Sequence, residues 1–133
     1  MTTASANSGE QHLGYLWMAV GASMLGLSAV TAAIPQTAAV HASAAGTVGT
    51  MVLAVMTRVC RGHIGRALTA DWLTALIYAL VNLSAVARIA AAFTSTAASW
   101  LLMVAAALWI TAVLLFARWC APIVMRPRVD EAH

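Results

Sequence analysis

Lysine is absent from this 133-residue sequence, and aspartate and glutamate together number four. Charged residues make up 8% of the chain, whereas soluble domains carry about 25%. A chain so poor in charge cannot clothe a water-facing surface. The scarce carboxylates also fall outside every long apolar stretch, which removes the buried acids that proton-driven pumps use as relays. The two cysteines, Cys60 and Cys120, form no CxxC or CxxCH and have no metal-type spacing. No glycine-rich phosphate loop occurs, and no Ser/His/Asp or Cys/His arrangement can be argued, so the chain reads as a non-enzyme. The polar opening, Met1 to Gln11, lacks the basic n-region of a cleavable signal peptide.

What is present in abundance is apolar: 62% of residues are hydrophobic. The pattern predicts an all-α fold, a polytopic transmembrane bundle of four spans. A spanning helix takes about 20 residues, so four of them use most of the chain. A polar segment at 1–11 precedes a transmembrane bundle over 12–124, and a short tail follows at 125–133. The spans are expected at about 13–34, 38–57, 72–92 and 100–120. Pro35 ends the first, and Gln36 and Thr37 make a short turn. A polar loop from Val59 to Asp71 follows the second, and a Thr/Ser-rich turn from Phe93 to Ser99 follows the third. Pro122 and Pro127 break the fourth helix into the tail. Trp17, Trp72, Trp100 and Trp119 stand near span ends, as an interfacial aromatic belt requires. Trp109 lies mid-span. Small residues are dense in the first two spans: Gly14, Gly21 and Gly26, then Ala42, Ala45, Gly46 and Gly49. They let helix backbones approach closely, which is how helices associate in lipid.

The net charge of +3 comes entirely from arginine. That is an orientation signal rather than a nucleic-acid footprint. Arg58, Arg61 and Arg66 flank the loop between spans two and three, and Arg118, Arg126 and Arg128 lie at the C-terminal end. With four spans, that loop and both termini share one face, which collects six of the seven arginines. The positive-inside rule places it in the cytoplasm. The expectation is a multi-pass inner-membrane protein with both termini cytoplasmic. Cys60 and Cys120 then lie on a reducing face, so no disulfide is expected.

Five polar side chains draw attention. His41 lies about one turn inside the second span, with Ala45 and Gly49 at i+4 and i+8 on the same α-helical face. An imidazole above a smooth groove suits a flat ligand such as a haem, and neutral imidazole is the commonest metal ligand. The competing reading is a histidine hydrogen-bonded to a neighbouring helix while the small residues merely pack. His12 and His63 share the cytoplasmic face, either as a ligand pair or as two solvent-exposed histidines. His41 cannot join them within one chain, because His41 to Arg58 is about 25 Å of helix. Arg88, near the end of the third span, either snorkels to the interface or pairs inward with a carboxylate or haem propionate. Asn82, with Tyr78 at i−4, suits hydrogen bonding between helices.

The stretch from His41 to Arg66, HASAAGTVGTMVLAVMTRVCRGHIGR, resembles the NnrS family, polytopic bacterial membrane proteins linked to the nitric oxide response and described as containing haem and copper. The likeness rests on His41 with its small-residue run, on Gly49-Thr50-Met51 to Met56-Thr57-Arg58, and on Gly62-His63 with Gly65-Arg66. His12-Leu13-Gly14-Tyr15 and Arg126-Pro127-Arg128 extend it over nearly the whole chain. Cys60 stands where a small or apolar residue is expected. The resemblance implies that His12, His41 and His63 are haem or copper ligands, with Arg58 beside them at the cofactor. It further implies that this chain corresponds to the last four of about twelve helices. A separate N-terminal helical partner or a homo-oligomer would then supply the rest. A cofactor-free assembly module, or a truncated remnant, is the alternative. A small transporter ranks last, because the mid-span positions are mostly Ala, Leu, Val and Gly.

Overall fold

Proline occurs at positions 35, 122 and 127 alone, so nothing interrupts the apolar stretches as helices. The computed structural model describes residues 3–62 and 72–125, and helix is the regular structure among them. Helix α1 runs Thr3–Val30, so it starts inside the polar opening. It ends four residues before the expected Ile34. The amide of Thr31 closes its last turn on the Leu27 carbonyl at 2.9 Å. Pro35, extended at φ −61° and ψ 131°, disfavours helix in the residue before it. It instead stands at the start of the next helix, where its carbonyl accepts from the amide of Ala38.

The second span is one continuous rod in three parts. Helix α2 covers Gln36–His41, a π-helical segment covers Ala42–Val48, and α3 covers Gly49–Gly62. It passes the expected exit at Thr57 and Arg58, so Arg58 and Cys60 lie on the helix rather than in or beside a loop. Helix α4 covers Trp72–Phe93 and α5 covers Ala98–Val124. Pro122 lies within α5. It falls in the last turn, where its missing amide costs one bond near a frayed end, and the helix continues to Val124. Four stretches are long and apolar enough to cross a membrane: His12–Val30, Gln36–Cys60, Trp72–Phe93 and Ala98–Pro122. The protein is a four-span helical membrane protein.

The second and third spans form the centre. Of their apolar windows 39% and 33% are buried, against 11% for the first and fourth. The first helix packs chiefly on α2 and the π segment, and α5 packs chiefly on α4. Glycine makes these approaches possible. A methyl added at Gly46 would stand 2.5 Å from the Trp17 ring, and one at Gly49 would stand 2.6 Å from the Trp109 ring. Met51 fills the space above Gly14, and Ser43 that above Gly21. Ile77, Val81 and Ala112 form the buried cluster between α4 and α5, with Leu53, Trp109 and Phe116 against it. The Ser84 hydroxyl adds a buried bond to the Ala105 carbonyl at 2.7 Å. Trp72 and Trp100, 74% and 73% exposed, open α4 and α5 at opposite ends and fit the expected belt. Trp17 does not, because it turns inward onto Gly46.

One expectation is overturned. Cys60 and Cys120 are joined by a disulfide, with Cα atoms 6.2 Å apart. Antiparallel packing brings the ends of the second and fourth spans to the same level. Their separation falls in the range a disulfide bridges, about 4.4–6.8 Å. The sequence places both cysteines on one face but does not show that they are neighbours.

Replacing Gly46 or Gly49 with leucine should destabilise the bundle by about 1–3 kcal/mol, the usual cost of overpacking. Gly26, which has nothing within 4 Å of an added methyl, should accept the same change with little effect. Unfolding by denaturing detergent in mixed micelles would compare the three.

Candidate functional site in the second span

His41 closes α2 and opens the π segment, five residues inside a helix that begins at Gln36. Its side chain is half-buried. Among the described residues its imidazole makes no side-chain hydrogen bond. That removes one half of the bland reading, a histidine tied to a neighbouring helix. The other half holds, because the small residues do pack.

The π segment also changes which residues share the histidine's face. A π turn closes its bonds one residue further along than an α turn. The Gly49 amide accordingly reaches back to the Ala44 carbonyl as well as to Gly46. The extra residue rotates everything after it. The face that α-helical spacing would continue at Gly49 continues at Thr50 instead. Gly49 turns toward Trp109 and Val81, and Gly46 toward Trp17. The small-residue face that α-helical spacing draws below His41 is therefore broken: Gly49 packs on Trp109 and Gly46 on Trp17.

The same segment strands two hydroxyls. Ser23, Ser43, Thr94 and Thr111 each donate to the carbonyl four residues earlier, as helical serines and threonines commonly do. Thr47 and Thr50, within and just after the π segment, lie buried with no hydrogen-bond partner for Oγ1. The altered bonding pattern moves the carbonyl each would otherwise use. A buried hydroxyl left in this state costs about 1–3 kcal/mol.

Arg88 sits on α4 five residues before its end at Phe93, and α2 packs against α4. Both side chains thus leave their helices about 7.5 Å from the same end of the bundle. Arg88 is half-buried, and its Nε is buried without a hydrogen-bond partner. Ser84, one turn away, is committed to Ala105. The result is an uncommitted imidazole and an under-satisfied guanidinium at one depth on adjacent helices.

The other expected residues lie elsewhere. His12 is exposed on α1 and Arg58 exposed on α3, both toward the opposite end. His63, its proposed companion, lies outside the described residues, as do Arg66, Arg126 and Arg128. Among the described residues no three His, Cys, Asp or Glu side chains gather as a metal site. Asn82 behaves as expected. It accepts from Trp17 Nε1 at 2.5 Å and donates to the Tyr78 carbonyl at 2.7 Å. Trp17 thereby ties α1 to α4 across the second span. Composition could have flagged Trp17, since an indole N–H buried in lipid needs an acceptor. Nothing in the sequence announces the π segment.

The family model described as NnrS protein matches residues 11–128. No curated protein and no solved structure matches the chain.

Trp17→Phe removes the indole donor and keeps the ring over Gly46. It should cost about 0.5–1.5 kcal/mol. A double-mutant cycle with Asn82→Leu should show the two changes coupled by roughly 0.5–1 kcal/mol. Additive effects would mean that the bond contributes nothing.

Proposed function

Because the chain belongs to the NnrS family, we propose that it binds haem or copper through histidine and serves the response to nitric oxide. The observation that carries the reading is the His41 imidazole, held inside a membrane span with no side-chain hydrogen bond among the described residues. An intramembrane ionisable side chain is costly, and such residues mark functional positions. Arg88, at the same depth, offers a counter-charge to an anionic group such as a haem propionate.

The residues of one chain do not by themselves fit a complete centre. Over the described residues there is one imidazole at this level and no cluster of three ligating side chains, and Gly49 of the expected groove packs on Trp109. His41 is accordingly one ligand of a site shared with another chain, either a second copy or a separate helical partner. His12 and His63, with Arg58 nearby, are candidates for a second site at the arginine-rich end. We further propose that this end faces the cytoplasm of an inner-membrane protein, on the strength of its arginines.

A cofactor-free assembly module is favoured by a different observation. Helix α1 leaves Ala22, Gly26 and Ala29 exposed, and the space above Gly26 is open. Small residues at that spacing accept a neighbouring helix in lipid.

The test is an absorption spectrum and metal analysis of protein purified in mild detergent, beside His41→Ala, His12→Ala and His63→Ala. A Soret band, or bound copper, that disappears in His41→Ala is the expected result. A colourless and metal-free but folded protein, with or without added haem or copper, would leave the assembly reading in its place.

A further inference from the structure

The disulfide joins the ends of the second and fourth spans, at the end of the bundle that also carries Arg58 and Arg118. Disulfides are rare on the cytoplasmic side, and those that occur there are usually transient and catalytic or redox-sensing. Resting on the orientation proposed above, we propose that Cys60 and Cys120 form an exchangeable thiol–disulfide site. Its co-substrate is a small anionic thiol of the glutathione class, which enters at Cys120.

Three features support the assignment. The sulfurs are unequal: Cys60 is 3% exposed, whereas Cys120 is partly exposed near the end of its span. Exchange requires access to the sulfur under attack, so the incoming thiol meets Cys120. This end also carries positive charge at longer range: Arg58 and Arg118 are exposed at the level of the cysteines, on the opposite faces of their helices, and their field draws an anionic thiol toward this end. The bond also gives α3, whose Ala54, Thr57 and Cys60 are buried, a covalent tie to α5. α3 touches α4 and α5 sparsely, whereas α2 and the π segment pack closely on α1 and α4. Opening the bond therefore removes this covalent tie and leaves the packing of α3 on α1, α4 and α5.

The chemistry balances in two exchanges. The thiolate of the small thiol attacks Cys120 Sγ, forming a mixed disulfide and expelling Cys60 as a thiolate that takes a proton from water. A second small thiol attacks the mixed disulfide at its own sulfur, releasing the small disulfide and the Cys120 thiolate. The protein disulfide gains two electrons, and two small thiols lose them. Oxidation runs the same steps in reverse, with Cys60 resolving the adduct on Cys120.

The experiment equilibrates membrane vesicles of known sidedness, carrying the full chain, with mixtures of reduced and oxidised glutathione. After an acid quench, free cysteines are counted by a mass-tagged maleimide. Two tags per chain are expected in excess reduced glutathione and none in excess oxidised glutathione, reversibly, when glutathione meets the arginine-bearing face. In single variants, Cys60→Ser should take one glutathione adduct on Cys120. Cys120→Ser should react at Cys60 more slowly by on the order of tenfold or more. A pair that stays closed in reduced glutathione is a structural staple, and one that never closes is no pair; either overturns the proposal. So does exchange only from the opposite face, or an adduct that forms equally well on Cys60. Thiol counting is blind to haem and copper, so this test fails independently of the cofactor reading.

Discussion

Helices already immersed in lipid gain nothing by hiding apolar side chains from water, so they associate through close packing and a few polar bonds. In this protein that constraint falls on the second span. Gly46 and Gly49 carry no Cβ, and the rings of Trp17 and Trp109 occupy the space beside them from opposite sides. The first helix is thereby seated on the second, and the fourth reaches past the third to touch it. Trp17 then satisfies its indole N–H on Asn82, so one side chain contributes both the packing and the polar bond. Because Gly49 packs on Trp109, the small-residue face that α-helical spacing draws below His41 does not run on to it.

Much of this architecture was legible in the residues. Four apolar runs, the prolines and the arginine asymmetry predict four spans, and the small residues mark the second span as a packing surface. Asn82 was readable as interhelical glue. The pairing of Cys60 with Cys120 was not, because proximity of helix ends is a tertiary fact with no local signature. The inward turn of Trp17 escaped for a related reason. A tryptophan a few residues inside a span serves an interfacial belt or a buried acceptor equally well, and the acceptor lies 65 positions away. α-Helical spacing places the face below His41 one residue off, because the π segment Ala42–Val48 intervenes. The site residues were legible only in part, since His63 lies beyond the described chain and the histidines that are described stand far apart.

The polar chemistry divides between the two ends of the bundle. At one end His41 and Arg88 stand at a common depth, neither fully satisfied by the chain's described residues. At the other end Arg58 and Arg118 stand near the level of a pair of disulfide-bonded cysteines. The packing follows the same division. The His41 end is held by contacts among α1, α2, the π segment and α4, while at the cysteine end a covalent bond joins α3 and α5.

The π segment gives this arrangement a mechanical property. One extra residue in a helix offsets everything beyond it by about 100° of rotation relative to an unbroken α-helix. His41 stands before the offset, and Gly49 and Cys60 stand after it. If the segment relaxed to ordinary α-helix, the far half of the second span would turn like a screw. Gly49 would swing away from Trp109, and Cys60 away from Cys120. A torque applied at the imidazole and a bond broken at the thiols thus act on the same shaft.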